Sequence, residues 1–542
     1  MPARFTQARG YDLPVFPHRR APEQDGARTR HPVAVVGGGL TGLTAACDLA
    51  LRGVPVVLLD EDDTVGVRGA SSRGICYAER SLDMLDRFGV YGRVTGKGVT
   101  WSVGRVLVDD DEVYSFDLAQ GSASRRPPFI NIQQFYVEWF LVDRLRELPP
   151  ADLRWKNRVV GAREEADHVA LEVETPEGPY TLRADWVIDA SGLASGVRAA
   201  LGVQTRSAQS VDRWCISDVR FAKPVPPERW TWVRAAFNEG RAVWQHQMAD
   251  GVWRIDYQMS PDASPEEISR PETVERRLRA HLGEDVDLEL VWVGPWGYRT
   301  HLLDDFRHGR VFFAGDAAHV FSPFGARGGN SGMQDAENIS WKLAAVLGGH
   351  TGDALLDSYG AERRTAAAFN IMTTERSARF LAPRSPFEHA LREAVLDLAR
   401  EHPFARRVVN MGRMSVAHDY AGSPLTTNAG QALPNVVVRL PDGQPGAVSD
   451  LLRGEGTRFL VLAGRDAEVP ADVSPLARVY ATDPDAAGGH PVIAGERLGA
   501  MIRPGEVLVV RPDQHLAARF SRPRPAEIAA AIDRALGKGV QA

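Results

Sequence analysis

The sequence predicts an α/β protein in which a parallel sheet flanked by helices carries an inserted antiparallel sheet and a further C-terminal domain. Three observations predict this fold. An apolar run, a glycine-rich turn, a helical repeat and a second apolar run follow one another between residues 33 and 60. Residues 205–299 contain β-rich runs and seven of the twelve tryptophans. A second glycine-rich turn, around residue 315, joins another apolar strand to a long helix, and strands that alternate with helices in this way form parallel sheets.

The first glycine-rich turn has the spacing of a dinucleotide-binding fingerprint. It reads GGGLTG, a GxGxxG pattern, and lies between an apolar strand and a helix. Gly37 allows the tight turn, Gly39 lets a pyrophosphate approach the backbone, and Gly42 lets the helix pack against the strand. The first turn of the helix, whose free N–H groups and positive dipole end would face the phosphates, contains Leu40 and Thr41.

The second apolar run ends in an acidic residue. Asp60 lies 18 positions after Gly42, close to the roughly 20 expected of an acidic residue that accepts hydrogen bonds from an adenosine ribose. The stretch Val33–Leu51 is about long enough to span a bilayer. Its glycines and helical period divide it instead into a buried strand and a buried helix. We therefore predict a Rossmann-type domain here and no membrane segment.

The second glycine-rich segment reads GRVFFAGDAAH over residues 309–319 and continues as PFGARGGN over residues 323–330. A turn and an apolar strand thus lead into a run of small residues and then into a helix. Apolar residues recur on one face of that helix, and Gly348 and Gly349 end it. The sequence therefore predicts two glycine-bearing bends that both open helices.

With these segments in this order, the chain resembles the flavoprotein aromatic hydroxylases of the p-hydroxybenzoate hydroxylase and phenol hydroxylase type, and is similar to 3-(3-hydroxyphenyl)propionate hydroxylases. The resemblance covers about residues 32–520 and implies FAD as the cofactor. It implies that Asp316 bonds the sugar-alcohol chain of the flavin and that Pro323 lies beside the reactive edge of the isoalloxazine. It also implies that the backbone of Gly328, Gly329 and Asn330 faces the pyrimidine end, where a helix N-terminus would stabilise reduced flavin.

Two more segments match the family and one departs from it. The resemblance implies that Arg73 contacts FAD, as a cation near a pyrophosphate would, and that Gln134 reaches the cofactor. The family usually has an aspartate where this chain has Ser191, in the run ASGLASGVR. Asp189, two residues earlier, is a candidate to compensate for that loss.

These signals divide the chain into successive units. Residues 205–299 are predicted to form a sheet that roofs a pocket over the flavin, with aromatic walls that suit a flat apolar substrate. The tail resembles the thioredoxin-like C-terminal domain of the phenol hydroxylase branch, and it contains no cysteine for thiol redox chemistry. The predicted units are an N-terminal arm, solvated or draped over the surface (1–31), the FAD-binding domain (32–204 and 300–365), the substrate-binding sheet (205–299), a helical segment (366–420), a linker (421–435) and the thioredoxin-like domain (436–542).

No motif for hydrolytic catalysis is visible, which fits an enzyme whose cofactor carries out the difficult chemistry. The resemblance implies that NADH or NADPH reduces FAD and that a C4a-hydroperoxide of the flavin then hydroxylates a phenolic ring with O2. The sequence does not distinguish NADH from NADPH. The candidates for orienting or deprotonating the phenol are His246, Tyr257, Tyr298 and His301.

The composition excludes several classes of partner. The formal net charge is −6 over 542 residues, so there is no basic field to bind nucleic acid. The three cysteines, Cys47, Cys76 and Cys215, have no disulfide or zinc spacing, and no secretory signal is visible. We therefore expect a cytoplasmic protein with no metal site. Its expected partners are a small aromatic substrate, O2 and NAD(P)H, with a homodimer as a further possibility.

Two alternatives remain open. The first is another flavoenzyme reaction, halogenation or Baeyer–Villiger oxidation. The run Trp230-Thr231-Trp232-Val233-Arg234 contains only part of the WxWxIP motif of flavin halogenases. The second alternative is a flavin-binding protein without turnover, which the serine at position 191 mildly favours.

Overall fold

The computed structural model describes residues 4–8, 11–66, 74–122, 124–409, 414–454, 456–483 and 489–539. The helices and strands up to residue 200 are, in chain order, β1 (Arg4–Ala8), β2 (Tyr11–Val15), β3 (Arg30–Val36), α1 (Leu40–Leu51), β4 (Val56–Asp60), β5 (Cys76–Ala78), α2 (Glu79–Arg87), α3 (Tyr91–Lys97), β6 (Val99–Trp101), β7 (Val103–Val108), β8 (Asp111–Asp117), β9 (Phe129–Asn131), α4 (Gln134–Arg146), β10 (Ala151–Trp155), β11 (Arg158–Glu164), β12 (Val169–Glu174), β13 (Tyr180–Asp189) and α5 (Gly196–Ala200).

The central part of the chain continues with β14 (Thr205–Phe221), β15 (Arg229–Ala235), β16 (Arg241–Gln247), β17 (Trp253–Met259), α6 (Pro265–Ile268), α7 (Pro271–Leu282), β18 (Leu288–Leu303), β19 (Arg307–His308), β20 (Val311–Phe313), β21 (His319–Val320), α8 (Gly328–Leu347), α9 (Asp357–Leu381), α10 (Pro386–Glu401) and α11 (Pro403–Val409). The remaining elements are β22 (Val437–Arg439), β23 (Pro445–Ala447), β24 (Phe459–Ala463), β25 (Ala477–Ala481), α12 (Glu496–Met501), β26 (Glu506–Val510), β27 (Leu516–Ser521) and α13 (Pro525–Ala535).

The predicted parallel sheet is present, with the order β10-β4-β3-β13-β20 and every neighbouring pair parallel. The strands β12 and β11 extend one side of β13 as an antiparallel ladder, and β19 pairs with β20. Parallel strands have their carboxyl ends at one edge of a sheet, which is where ligands bind in such folds. The glycine-rich turn after β3, the end of β4, the end of β13 and the turn after β20 therefore lie at the same edge.

The antiparallel sheet is larger than its predicted segment. Its order is β21-β18-β14-β17-β16-β15-β7-β8, so β7 and β8, from outside residues 205–299, extend it through a parallel pairing of β7 with β15. One face packs on α7, with Val274, Leu278 and Leu282 in a shared core. The other face packs on α9, α10 and α11 and on the loop that precedes α8. We call the second face the inner face.

The N-terminal segment packs against the main body of the protein. The strands β1 and β2 form a hairpin, and Tyr11, Leu13 and Phe16 are buried in the core of the parallel sheet. The Phe16 ring stacks on Trp155 with its centroid at 4.5 Å. Of the two predicted arrangements, the structure therefore contradicts a solvated arm and agrees with a segment draped over the domain, because its apolar side chains cover one end of the core.

The C-terminal residues form a four-stranded sheet of order β25-β24-β26-β27. Only β24 and β25 are parallel, and α13 follows the last strand. The predicted linker contains no helix or strand, yet Leu425 and Leu433 are buried. Cys47, Cys76 and Cys215 are free and buried. Within the described residues, no helix is both long enough and apolar enough to cross a membrane.

Candidate active site

The three glycines of the first turn meet different surroundings. A Cβ at Gly37, where φ is 104°, would lie 2.6 Å from the Ala190 carbonyl oxygen. A Cβ at Gly42 would lie 1.9 Å from the Gly37 carbonyl oxygen, so the helix could not pack against the turn. A Cβ at Gly39 would meet only a Glu138 carboxyl oxygen, at 4.0 Å. Packing therefore requires glycine at 37 and 42, whereas Gly39 leaves open space in front of α1.

The two glycine-bearing bends meet at Thr41. A Cβ at Gly315, where φ is 58°, would lie 2.6 Å from Thr41 Oγ1, and one at Gly332 would lie 2.2 Å from the same atom. A Cβ at Gly329 would lie 3.1 Å from the Leu40 side chain. The N-termini of α1 and α8 therefore converge, which concentrates unpaired N–H groups and positive dipole ends in one cleft. Gly332 was missed from the sequence, although its position inside the GGNSG run is a signal for close helix packing.

Acidic residues lie at three of the strand ends. Asp60 accepts hydrogen bonds from the backbone N–H groups of Gly38, at 2.5 Å, and Asp62, at 2.8 Å. Asp316 is exposed in the turn after β20. Asp189 is fully buried and accepts hydrogen bonds from the hydroxyls of Ser191 and Ser195. The carboxylate of Asp189 is thus engaged inside the β13 turn, and the structure contradicts the idea that it compensates for the missing family aspartate.

A polar group from α4 covers the open space in front of α1. Gln134 accepts a hydrogen bond from the Gly74 N–H at 2.9 Å and donates one to Glu138 at 2.7 Å. Glu138 also accepts a hydrogen bond from the Gly66 N–H at 3.1 Å. Burial raises the pKa of Glu138 to about 7, against the opposite effect of these hydrogen bonds. Arg73, the predicted cation at this end, lies outside the described residues.

The start of α8 is held by buried polar contacts. The Asn330 side chain accepts a hydrogen bond from the Ala78 N–H at 2.9 Å and donates one to the Cys76 carbonyl at 2.8 Å. Asp335, one turn further on, bonds His319 and Arg363, each at 2.6 Å. Although burial opposes ionisation, those two side chains lower the pKa of Asp335 to about 2. These contacts fix the backbone at the N-terminus of α8.

Charged side chains lie on the inner face of the antiparallel sheet. His246 on β16 is paired in register with Arg254 on β17, and Arg254 binds Asp218 on β14 through two contacts of 2.8 Å. Burial, with the charges of Arg229 and Arg254, keeps the pKa of His246 well below its usual value. Burial raises the pKa of Asp256, on the same face, to about 7. His246 is therefore a neutral imidazole at physiological pH.

An aromatic wall continues this face toward α8. The rings of Trp214 and Trp244 are stacked, with centroids 4.6 Å apart and planes 11° apart. The Phe324 ring packs edge-on against Trp244 at 4.8 Å. Pro323, the preceding residue, is exposed. The aromatic wall of the sheet thus reaches Phe324, the neighbour in sequence of the residue predicted to lie beside the reactive edge of the flavin.

The remaining predicted residues are not brought together. Tyr257 lies on the opposite face of the sheet, where its hydroxyl is 3.1 Å from His281 of α7; strand alternation turns it away from His246, so the structure contradicts its predicted role. His301 is buried beside Arg198 and the Ala317 backbone, next to the turn that carries Asp316, and burial lowers its pKa to about 4. Tyr298 lies on β18, and its side chain is outside the described part of the chain.

A family model described as an FAD binding domain matches residues 30–374. The chain belongs to this FAD-binding family. FAD as cofactor is thereby confirmed, and the residues present fit it: the space in front of Gly39 and the two converging helix N-termini form a cleft suited to a pyrophosphate.

Comparisons with individual proteins agree with this result. A 3-(3-hydroxy-phenyl)propionate/3-hydroxycinnamic acid hydroxylase of Mycobacterium sp. (strain JLS) is 27% identical to this flavoprotein, over 94% of this chain and 93% of the relative. The crystal structure of the flavin-dependent monooxygenase PieE superposes with a TM-score of 0.79 at 22% identity, covering 94% of this chain and 100% of PieE. OxyS anhydrotetracycline hydroxylase from Streptomyces rimosus gives a TM-score of 0.72 at 25% identity, covering 94% and 99%. The predicted kinship with flavin-dependent aromatic hydroxylases is thus confirmed.

Proposed function

We propose that this flavoprotein hydroxylates a phenolic aromatic compound, with NADH or NADPH as reductant and O2 as the source of oxygen. The observation that carries the proposal is the contact of the aromatic wall, at Trp244, with Phe324, directly after the predicted flavin-edge residue Pro323. The curated relative named above acts on phenolic acids, which supports a substrate of that kind. When bound, FAD accepts electrons from the nicotinamide and, once reduced, activates O2.

We assign the cofactor contacts as follows. The space at Gly39 and the first N–H groups of α1, at Leu40 and Thr41, would take the pyrophosphate, because a helix N-terminus stabilises phosphate charge. Asp60 would accept hydrogen bonds from the ribose, and the exposed Asp316 would bond the sugar-alcohol chain. The remaining assigned positions are Gly37, Gly42, Arg73, Gln134, Pro323, Gly328, Gly329 and Asn330. Among them the side chains of Gln134 and Asn330 already bond protein groups, so Asn330 contributes through its backbone.

The residues of the sheet would orient the substrate. Trp214, Trp244 and Phe324 offer flat apolar contact to an aromatic ring and exclude water from it. His246 is neutral, so its unpartnered, buried Nδ1 can accept or donate a hydrogen bond to a phenol according to its tautomer. His301 lies too far along β18 to share a row with His246, and we propose a role for it beside the Asp316 turn instead.

We propose that the C-terminal domain is thioredoxin-like. Its strand order β25-β24-β26-β27, with one parallel and two antiparallel pairings and a final helix, supports this. We also propose a cytoplasmic homodimer, since α10 and α11 expose a row of large apolar side chains that a second copy would cover, namely Phe387, Leu391, Leu398, Phe404 and Val408. Light scattering of the purified protein would measure the oligomeric state, and a monomer at all concentrations would contradict the dimer.

The central experiment measures substrate-stimulated turnover. Purified protein should be yellow, and a set of phenols, phenolic acids and naphthols should contain compounds that accelerate NADH or NADPH oxidation with matching O2 uptake. Product identification should show one added hydroxyl. A chlorinated product that forms only when chloride is present would show that the reaction is halogenation and not hydroxylation. Bound flavin that neither nicotinamide reduces would instead indicate a flavin-binding protein without turnover.

A further inference from the structure

Arg229, at the start of β15, is a buried arginine without a counter-ion. Only 6% of its surface is exposed, its Nε atom has no hydrogen-bond partner, and it forms no ion pair within 4.0 Å among the described residues. The comparably buried Arg80, Arg254, Arg363 and Arg511 each bind a carboxylate. An unpaired buried charge destabilises a protein unless something neutralises it. Burial accordingly lowers the pKa of Arg229.

The guanidinium lies on the inner face of the antiparallel sheet, next to the aromatic wall. Its central carbon is 5.8 Å from the centroid of the Trp244 ring, which packs against Phe324 beside the start of α8. Asp256 of β17, on the same face, favours the charged form of Arg229, although the two side chains form no ion pair within 4.0 Å among the described residues. Arg229 therefore lies beside the aromatic wall, whose Phe324 directly follows the predicted flavin-edge residue Pro323.

Other buried donors near Arg229 also lack acceptors. The indole Nε1 atoms of Trp214 and Trp244 are buried and unpartnered on the same face. Asp256 offers one unpartnered oxygen, but it forms no ion pair with Arg229 within 4.0 Å among the described residues, and burial raises its pKa to about 7. The inner face thus presents a cation and two N–H donors beside an aromatic wall, with too few acceptors among the described residues. Such a donor set suits a negatively charged oxygen.

We propose that Arg229 binds an oxyanion carried by the aromatic substrate, either a carboxylate or the phenolate itself, and that the flavoprotein thereby selects acidic aromatic compounds. This inference rests on the proposed function, because it concerns the same cleft. The guanidinium would supply the counter-charge, and Trp214 and Trp244 would flank the ring. The interaction fixes which end of the substrate faces away from Pro323.

The test compares anions with neutral analogues on the FAD-loaded protein. Calorimetric titrations would use benzoate, 3-phenylpropionate and 4-nitrophenol, with benzamide and 3-phenylpropionamide as uncharged partners. We expect at least one anion to bind about tenfold or more tightly than its neutral form, the size of effect that a desolvated charge pair produces. Measuring 4-nitrophenol at about pH 6 and about pH 9, where its ionisation differs, separates a phenolate site from a carboxylate site.

Two variants assign the preference to Arg229. Arg229→Gln should lose the preference for the anion, and Arg229→Lys should keep part of it. Arg241, a partly exposed arginine at the start of the neighbouring strand β16, pairs with Glu239. Arg241→Gln is the control and should bind like the wild type. Without ligand, Arg229→Gln should unfold at the same temperature as the wild type or a higher one, because it removes an unpaired buried charge. A purely structural arginine would show the opposite shift.

The outcomes separate this inference from the proposed function. Wild-type protein with no preference for any anion, or an Arg229→Gln variant that keeps the preference, overturns the oxyanion site even if phenols stimulate turnover. Conversely, an Arg229-dependent preference for benzoate, without any phenol-stimulated oxidation of NAD(P)H, supports the site and contradicts the hydroxylase.

Discussion

At the scale of single residues, Gly39 and Gly42 show that glycines of one motif can be required for different reasons. Gly42 is required by the protein itself, since a Cβ there would overlap the Gly37 carbonyl at 1.9 Å. Gly39 faces open space, so only a ligand gives a reason to keep it small. Substitutions within the six-residue turn, at Gly39 and at Gly42, should therefore separate an effect on ligand binding from an effect on folding.

We predict that Gly39→Val folds but loses FAD, because the valine side chain would occupy the space in front of α1 where the pyrophosphate belongs. The ratio of flavin to protein absorbance, with circular dichroism as the folding control, measures both effects. Gly42→Val should instead fail to fold, since its side chain has no room. Full flavin content in a folded Gly39→Val protein would contradict the assignment of this turn to the phosphates.

The sequence supports residue assignments only where backbone geometry dictates the residue type. The GxGxxG turn, Asp60 and the bend around Gly315 were predictable because each follows from a strand end and a helix start. The position of Tyr257 was not, since alternation along β17 separates two faces but does not tell which one α7 covers. The sequence also offers no reason to single out Arg229. What distinguishes this arginine is that no carboxylate on the described neighbouring strands pairs with it, and a local sequence pattern does not indicate which distant residues pair.

At the scale of elements, α8 depends on a buried charge cluster for its position. Asp335 joins the helix to His319 of β21 and to Arg363 of α9, and it also accepts a hydrogen bond from the Gly315 N–H at 3.0 Å. One carboxylate thus links the GDAAH turn, α8 and α9. The periodicity of the sequence predicts these elements. It does not predict that Asp335 binds His319 and Arg363, because these side chains belong to separate elements.

We predict that Asp335→Asn lowers the free energy of unfolding by about 3 kcal/mol, because it leaves Arg363 buried without its carboxylate. The pKa of Asp335 is lowered to about 2 in the folded protein, below the roughly 3.9 of an unfolded aspartate. Its contribution is therefore present above about pH 4 and is lost as the pH falls toward 2. Unfolding measured at neutral and acid pH should show a smaller acid sensitivity in the variant.

The control for that experiment is Asp357→Asn on α9. Asp357 pairs with Arg307 at 2.6 Å, but its side chain is 57% exposed. A surface pair of this kind contributes less than about 1 kcal/mol. Equal effects of the two substitutions would show that the buried cluster around Asp335 has no special role.

At the scale of the whole molecule, a second buried network joins the C-terminal domain to the helices that hold the cofactor cleft. Arg511 binds Glu362 of α9, at 2.5 and 2.9 Å, and Asp513, at 2.6 Å. The Trp341 indole of α8 donates a hydrogen bond to Asp513 at 3.1 Å, and Lys342 binds Glu362 at 2.8 Å. The predicted domain boundary is therefore bridged by charges that no solvent reaches.

We predict that Arg511→Ala releases this domain. The substitution leaves two buried carboxylates without their main cation, which should cost about 3–5 kcal/mol. Limited proteolysis should then cut near residues 421–435 faster than in the wild type, and flavin content should fall because α8 loses a support. Arg519→Ala, an exposed arginine of the same domain that pairs with Glu506, should behave like the wild type. Unchanged proteolysis of Arg511→Ala would contradict the coupling.

The order of the parallel strands determines how early in translation the cofactor cleft can form. The strand β20 pairs with β13, yet the long strand β14 and most of the antiparallel sheet are translated between them. A nascent polypeptide that ends before α8 therefore has the first half of the nucleotide cleft and nothing to close it. Cofactor capture must await nearly two thirds of translation, so ribosome-bound intermediates should not retain flavin until the segment after residue 328 has emerged.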